Sequence, residues 1–232
     1  LALADLETGV QHVQRVGITA ELNDRRIHFH TLQVNLTTEN AVEGSGWIDF
    51  DRSFACRLSS KTAIPLSVLD LPESVKGLKG TAMLDISGRG TLTEPVMQGR
   101  ILLSDLTHAD HLLPDAAFDV AFADDVVRLH QEGIGRLAAE YRVDTRDFNL
   151  DFELRETRLD VFLKLVGKSA FGALASTRFS AVGNLEDLKD IAISLKVASI
   201  DVSYNNMAFA RIRNLSADFR RRTLRLGNGR ID

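Results

Sequence analysis

Cysteine is nearly absent: Cys56 is the only one in 232 residues. No internal disulfide can form, so the framework that staples small secreted domains is excluded, while an oxidising compartment stays open. No stretch approaches the ~18 consecutive apolar residues that carry a helix across a bilayer. The chain opens at Leu1 with neither methionine nor a charged-then-apolar leader, which reads as a soluble segment excised from something longer. Basic residues are not in excess either. The 28 Lys and Arg stand against 32 Asp and Glu, a formal charge of −4, and a nucleic-acid binder needs a basic face to neutralise phosphates. Nucleotide and nucleophile motifs are missing: Gly77-Leu78-Lys79-Gly80-Thr81 lacks P-loop spacing, and Gly44-Ser45-Gly46 is no nucleophile elbow. The expectation is a chain that is not an enzyme and takes no cofactor.

What is present is ordinary globular composition, 44% hydrophobic and 26% charged, arranged with a period of two. Phe148, Leu150, Phe152 and Leu154 alternate with Asn149, Asp151, Glu153 and Arg155, which places four apolar side chains on one face of a strand. The same alternation runs through Ile191, Ile193, Leu195 and Val197, through Ile200, Val202 and Tyr204, through Phe118, Val120 and Phe122, and through Leu32, Val34 and Leu36. In Phe54, Cys56 and Leu58 the thiol falls on such a face and reads as a small hydrophobe.

Turn residues that tolerate positive φ separate these runs: Asn23-Asp24, Asp124-Asp125, Asn205-Asn206 and Gly227-Asn228-Gly229. Successive strands are therefore expected to pair antiparallel. The apolar frame slips between Ile27 and Leu36, which predicts a bulge near His30 or Thr31. Helical candidates are short connectors, Leu66 to Val75 and Lys168 to Ala175.

Laying the halves over one another exposes an internal repeat, approximately 27–126 and 127–232. Phe54 meets Phe148, Gly90-Thr91-Leu92 meets Gly183-Asn184-Leu185, and Phe118, Phe122, Leu129 and Ile134 meet Leu215, Phe219, Leu226 and Ile231. Strands with one apolar side must bury it, and few helices are available to cover it. Two solutions remain: a sheet folded on itself as a closed sandwich or barrel, or an open trough covered by a ligand. Repetition favours the second, as growth in one direction.

Sharper chemistry finds little support. His28 and His30 share a strand face and His108 and His111 flank Asp110, but neither group has the companion ligands of a metal site. Asp124-Asp125 reads as a turn and not as an acid and base pair. Arg220-Arg221-Arg222, with Arg211, Arg213, Arg225 and Arg230, makes one end locally basic, either a solvated hairpin or a contact for anionic headgroups.

The stretch Gly80-Thr81-Ala82-Met83-Leu84, followed by Gly88-Arg89-Gly90-Thr91-Leu92-Thr93-Glu94-Pro95-Val96-Met97-Gln98-Gly99-Arg100-Ile101-Leu102-Leu103, resembles the recurring unit of the TamB and AsmA-like proteins. Those units read Gly, strand, Gly-x-Leu, Pro, Gly-x-Leu-x-Leu. The second copy keeps Gly183-Asn184-Leu185 but replaces the proline and glycine around Leu188 and Asp190. The resemblance implies an all-β chain: an elongated, mostly antiparallel twisted sheet, curled into an open U-shaped groove like a folded taco, built from two tandem repeats and continuous over residues 1–232. It implies a periplasmic location within a longer, inner-membrane-anchored protein of a Gram-negative bacterium. The expected function is a conduit carrying phospholipids between inner and outer membrane. The alternative is a scaffold or chaperone in assembly of outer-membrane β-barrel proteins, and a plain spacer is the third reading.

On this reading the partners are phospholipid acyl chains and, through the full-length chain, an outer-membrane barrel of the Omp85 type, with no nucleic acid. The groove lining is expected to comprise Phe118, Phe122, Phe148, Leu150, Phe152, Leu154, Ile191, Ile193, Leu195, Val197 and Phe219. Alternating Leu, Ile, Val and Phe on one face suit an acyl chain, which demands continuous apolar surface and no polar partner.

Overall fold

The structure, a computed structural model, describes residues 2–8, 11–71, 77–108, 111–133, 135–160, 163, 168, 170–205, 207–221 and 223–231. Asp110, Ile134, Asn206 and Arg222 lie outside them, as do residues 72–76 of the first helical candidate and Ser169 of the second. The chain divides into two compact units, Leu1–His108 with Pro114–Asp124, and Ala109–Leu113 with Asp125–Asp232.

The first unit contains β1 (Ala2–Thr8), β2 (Gln11–Asn23), β3 (Arg26–Asn35), β4 (Ala41–Asp49), β5 (Ser53–Ser60), β6 (Ile64–Pro65), β7 (Leu78–Thr91), β8 (Pro95–His108) and β10 (Ala116–Ala123). β9 is the two-residue His111–Leu112. Antiparallel ladders join β1 to β2, β2 to β3, β3 to β4, β4 to β5, β5 to β7, β7 to β8 and β8 to β10, with β6 also on β7. The second unit holds β11 (Val126–Glu132), β12 (Arg136–Arg142), β13 (Asp147–Arg158), β14 (Phe171–Asn184), β15 (Ala192–Tyr204), β16 (Met207–Arg220), β17 (Thr223–Leu226) and β18 (Arg230–Ile231). Each strand from β11 to β16 pairs antiparallel with the next, and both β17 and β18 pair with β16.

The fold is all-β and antiparallel. Neither unit closes into a barrel: among the described residues no ladder joins β1 to β10 or β11 to β17. The accessible surface is 15606 Å², whereas a compact monomer of 25.6 kDa exposes about 10,400 Å², and two separate compact domains of half that mass expose about 12,600 Å² together. Among the described residues only Ile64 is a large side chain less than 2% exposed.

Local chemistry explains the turns. Asp24 (φ 51°), Asp124 (φ 51°) and Asn205 (φ 47°) sit where two-residue hairpins need a left-handed backbone, and their short polar side chains adopt it at little cost. The expected bulge is present: β3 shifts register against β4 between Phe29 and Leu32, and β2 shifts against β3 between Thr19 and Ala20.

Three expectations need correction. Among the described residues of the first helical candidate, Leu66–Val68 forms a short 3-10 turn and Leu69 to Leu71 are not helical; Leu66 is 3% exposed. In the second, Phe171 to Ala175 opens β14 and pairs with Tyr204 to Ile200 of β15; ladder pairing overrides the weak helical preference of a small-residue run. Gly227-Asn228-Gly229 makes no hairpin. Both flanking strands run along β16, the Gly227 N–H donates to the Ser216 carbonyl at 2.9 Å, and a β-carbon at Gly229 would meet Leu215 Cδ1 at 2.8 Å. The glycines let the chain hug β16 instead of turning back.

The tightest core lies in the first unit, where the segment after β5 tucks Ile64 (1% exposed) opposite Ala82 (8%). Ile64→Ala should therefore lower unfolding free energy by about 2–5 kcal/mol, the usual cost of emptying a packed aliphatic site. Met83, next to Ala82 but 43% exposed, should cost under about 0.5 kcal/mol as Met83→Ala. Urea unfolding followed by circular dichroism checks both.

Candidate functional site: the apolar sheet face

Residues directly opposite one another in an antiparallel ladder share a face, so the registers settle which side chains keep company. In the second unit one row runs Leu137, Phe152, Phe179, Leu195, Ala217, Leu226 across β12 to β17. The neighbouring row runs Leu129, Ala139, Leu150, Ala181, Ile193, Phe219, Leu224. Above it lie Tyr141, Phe148 and Gly183, and below it Leu154, Thr177, Val197 and Leu215. Phe148, Leu150, Phe152, Leu154, Ile193, Leu195, Val197 and Phe219 thus stand on one continuous apolar face.

Ile191 differs from its expected place. It ends the 3-10 turn Leu188–Asp190 and precedes β15. It still covers this face, since a β-carbon built on Gly183 would meet its Cγ1 at 2.9 Å. Phe118 and Phe122 belong to β10 in the first unit, opposite Ile101 and Met97, so the eleven expected lining residues are divided between the two units.

The first unit has an equivalent face. One row is Ile18, Leu32, Gly44, Leu58, Ile86, Gly99, Val120, and the next contains Phe29, Gly46, Cys56, Gly88, Met97 and Phe122. Cys56 sits among apolar neighbours, with a β-carbon at Gly88 placed 3.1 Å from its sulfur. Leu137, Phe179, Ala181 and Thr177 were absent from the sequence reading of the lining. β14 alternates in phase, but its face residues Ala173, Ala175, Thr177 and Ala181 are too small or too polar to mark a strand by hydrophobicity alone.

The opposite face is ionic. Arg178 grips Asp151 at 2.9 and 2.7 Å, Arg57 grips Asp85 at 3.0 and 2.7 Å, and Arg155 grips Glu153 at 2.8 and 2.9 Å. Arg26 holds Asp49 at 2.6 and 2.7 Å while its guanidinium lies 4.0 Å from the Trp47 ring centroid. All but Arg155–Glu153, which lies within β13, tie adjacent strands, and exposed pairs of this sort contribute little individually. Three of the carboxyls are nevertheless displaced downward: Arg26 holds Asp49 below the ordinary carboxylate range, Arg57 does so for Asp85, and Arg155 for Glu153. Hydrogen bonds from Thr145 and then Asn184 lower Asp147, and Ser53 lowers Asp51.

His28 and His30 stack with centroids 6.4 Å apart, and His30 Nε2 lies 3.2 Å from Glu21 Oε2. Among the described residues no three His, Cys, Asp or Glu side chains converge as a metal site.

Because the five carboxyls ionise more readily folded than unfolded, the stability they add is present above the ordinary carboxylate pKa, ~4, and is lost as pH falls through that range toward their lowered values. The melting temperature measured by scanning calorimetry should accordingly fall below about pH 4.5. Asp85→Asn should flatten that fall by removing one contributor.

No protein-family description, no curated protein and no solved structure matches this chain.

Proposed function

We propose that the apolar sheet faces are walls of an open groove that carries phospholipid acyl chains, as a segment of a conduit between inner and outer membrane. The observation carrying this reading is the continuous apolar face, whose Leu150, Phe152 and Leu195 stay half-buried and whose Phe219 is 36% exposed, in a chain whose total accessible surface is some 3,000 Å² above that of two compact half-size domains. Monomeric soluble proteins seldom leave apolar patches beyond a few hundred Å² exposed, and an acyl chain covers such a face with no need for spaced polar partners.

Register agreement supports the two-repeat part of the reading. Phe54 opposes Gly90 in the first unit as Phe148 opposes Gly183 in the second. Leu58 opposes Ile86 as Phe152 opposes Phe179, and Ile101 opposes Phe118 as Val197 opposes Leu215. Loop bonds recur too: Leu92 N–H to the Arg52 carbonyl and Leu185 N–H to the Arg146 carbonyl, both 3.0 Å, with Arg52 (φ 72°) and Arg146 (φ 61°) both left-handed. Corresponding positions in the same pairings at nearly matched offsets fit one groove-forming unit used twice. The conduit reading further assigns the chain to a periplasmic, inner-membrane-anchored protein, with an Omp85-type barrel as the partner of its full length.

A second reading, a scaffold for nascent outer-membrane strands, is favoured by one feature. Among the described residues, Met207 to Arg211 of β16 have ladder partners only in β15, and such an edge accepts an added strand.

Purified under gentle conditions, the protein should release acyl lipids on organic extraction in near-stoichiometric amounts by mass spectrometry; repeated absence would sink the conduit. Leu150→Arg, opposite only Ala139 and Ala181, should stay folded because the uncovered face admits water, yet lower bound lipid by about fivefold or more. The polar-face control is Asn149→Arg, opposite Glu140, which should retain the lipid. Asp151 is unsuitable for that purpose because it anchors Arg178. Retention of strand-forming peptides without lipid would select the scaffold instead.

A further inference from the structure

The polar face of the second unit bears a cavity of about 660 Å³. Two ladder rows floor it: Ser180, Ser194, Asp218, Arg225, and Val182, Ala192, Arg220, Thr223. Arg221 closes it from the β16–β17 turn. Three arginines therefore meet one carboxylate and three hydroxyls.

Two observations bear on these arginines. Many arginines of the polar faces are paired, Arg57 with Asp85 in the first unit and Arg128 with Glu140, Arg178 with Asp151 and Arg211 with Asp201 in the second, although Arg136 and Arg142 make no ion pair among the described residues. Among the described residues Arg220 and Arg225 have no ion-pair partner; Arg225 stands opposite Asp218 in register without bonding it. Arg221 lies 3.7 Å from Asp190, its only carboxylate contact. The second observation is the turn. The two-residue hairpins elsewhere place Asp24, Asp124 or Asn205 in the left-handed position, whereas this one puts Arg221 there at φ 47°; Arg52 (φ 72°) and Arg146 (φ 61°) take it in longer loops. A long side chain without a local backbone bond is a poor choice for that conformation, and its neighbours in sequence are Arg220 and Arg222. Backbone strain combined with like-charge crowding persists where function compensates for it.

We infer that this cavity binds a phosphate ester, a monoester or diester oxyanion held by the guanidiniums of Arg220, Arg225 and Arg221 with hydroxyl donors from Ser180, Ser194 and Thr223. Arginine suits the task because its planar fork matches phosphate oxygens two at a time, and an oxyanion neutralises the three cations that the protein leaves under-paired. Asp218 limits the net positive charge and favours a ligand that also brings a hydroxyl donor for it, as a glycerol phosphate does. The site lies on the polar face, so it stands or falls independently of what covers the apolar one.

Calorimetric titration at 150 mM salt with glycerol 3-phosphate, and co-sedimentation with vesicles of phosphatidylglycerol in phosphatidylcholine or of phosphatidylcholine alone, separate the sources of the phosphate. Binding of the soluble ester marks a freely diffusing ligand; binding only to phosphatidylglycerol vesicles marks a lipid headgroup. In either case the Arg220→Gln/Arg225→Gln double variant should weaken binding at least about tenfold. A control with equal charge loss, Lys79→Gln/Arg89→Gln, should not. Arg221→Asn provides a test immune to misfolding, because the better turn residue should raise the melting temperature while weakening binding. Failure of both probes to bind, or equal loss in the control variant, overturns the site.

Discussion

Everything in this molecule depends on the cross-strand ladder, because among the described residues the ladder partners are each strand's main neighbours. In a sandwich, a residue such as Phe152 would meet the inner face of a second sheet. Here its ladder partners are Leu137 and Phe179, and packing is confined largely to rows running across the sheet. That confinement explains which residues are most hidden. Ala175 is 1% exposed and Ala181 6%, because small side chains sink between taller ladder neighbours such as Leu150 and Ile193 opposite Ala181. Tall side chains remain half open, and Phe219 is 36% exposed on the same face.

Glycine takes this logic to its limit in the first unit. A β-carbon on Gly99 would meet Ile86 Cγ1 at 2.6 Å and the Asp85 carbonyl at 2.7 Å. The close approach of Ile86 across the ladder is therefore possible only without a side chain at Gly99. The two faces divide the labour: apolar rows give close contact on one side, and ion pairs such as Arg57 with Asp85 and Arg178 with Asp151 tie the strands from the other. Because those pairs are exposed, their contribution is small each and screened by salt, so the apolar rows carry more of the stability.

Period-two alternation made the strand faces legible from sequence wherever both partners of the alternation were strong. Phe148 to Arg155 is such a run, and ladder pairing places its four apolar residues in the rows described. Turns were legible where Asp or Asn occupied the left-handed position, as at Asp24 and Asp124. Three things were not legible, for distinct reasons. β14 hides its face behind Ala173, Ala175 and Thr177, whose size contrast with their neighbours is too small to signal burial. Phe171 to Ala175 looked like a connector because short-range preference cannot report the β15 strand waiting to pair with it. Gly227-Asn228-Gly229 carried correct turn chemistry and still did not reverse the chain, since glycine serves close approach to β16 as readily as a hairpin.

Arg221 is the converse case, a place where local rules are broken. The equivalent hairpin positions show what the backbone prefers, and nothing in turn chemistry asks for three consecutive arginines there. Local inconsistency of this kind is expected at functional sites, because a sequence free to optimise the turn alone would hold Asn or Asp. On the apolar face, by contrast, local and global signals agree at every strong position. Agreement identifies the face as a wall of the fold, but a wall and a binding surface look alike until something covers one of them.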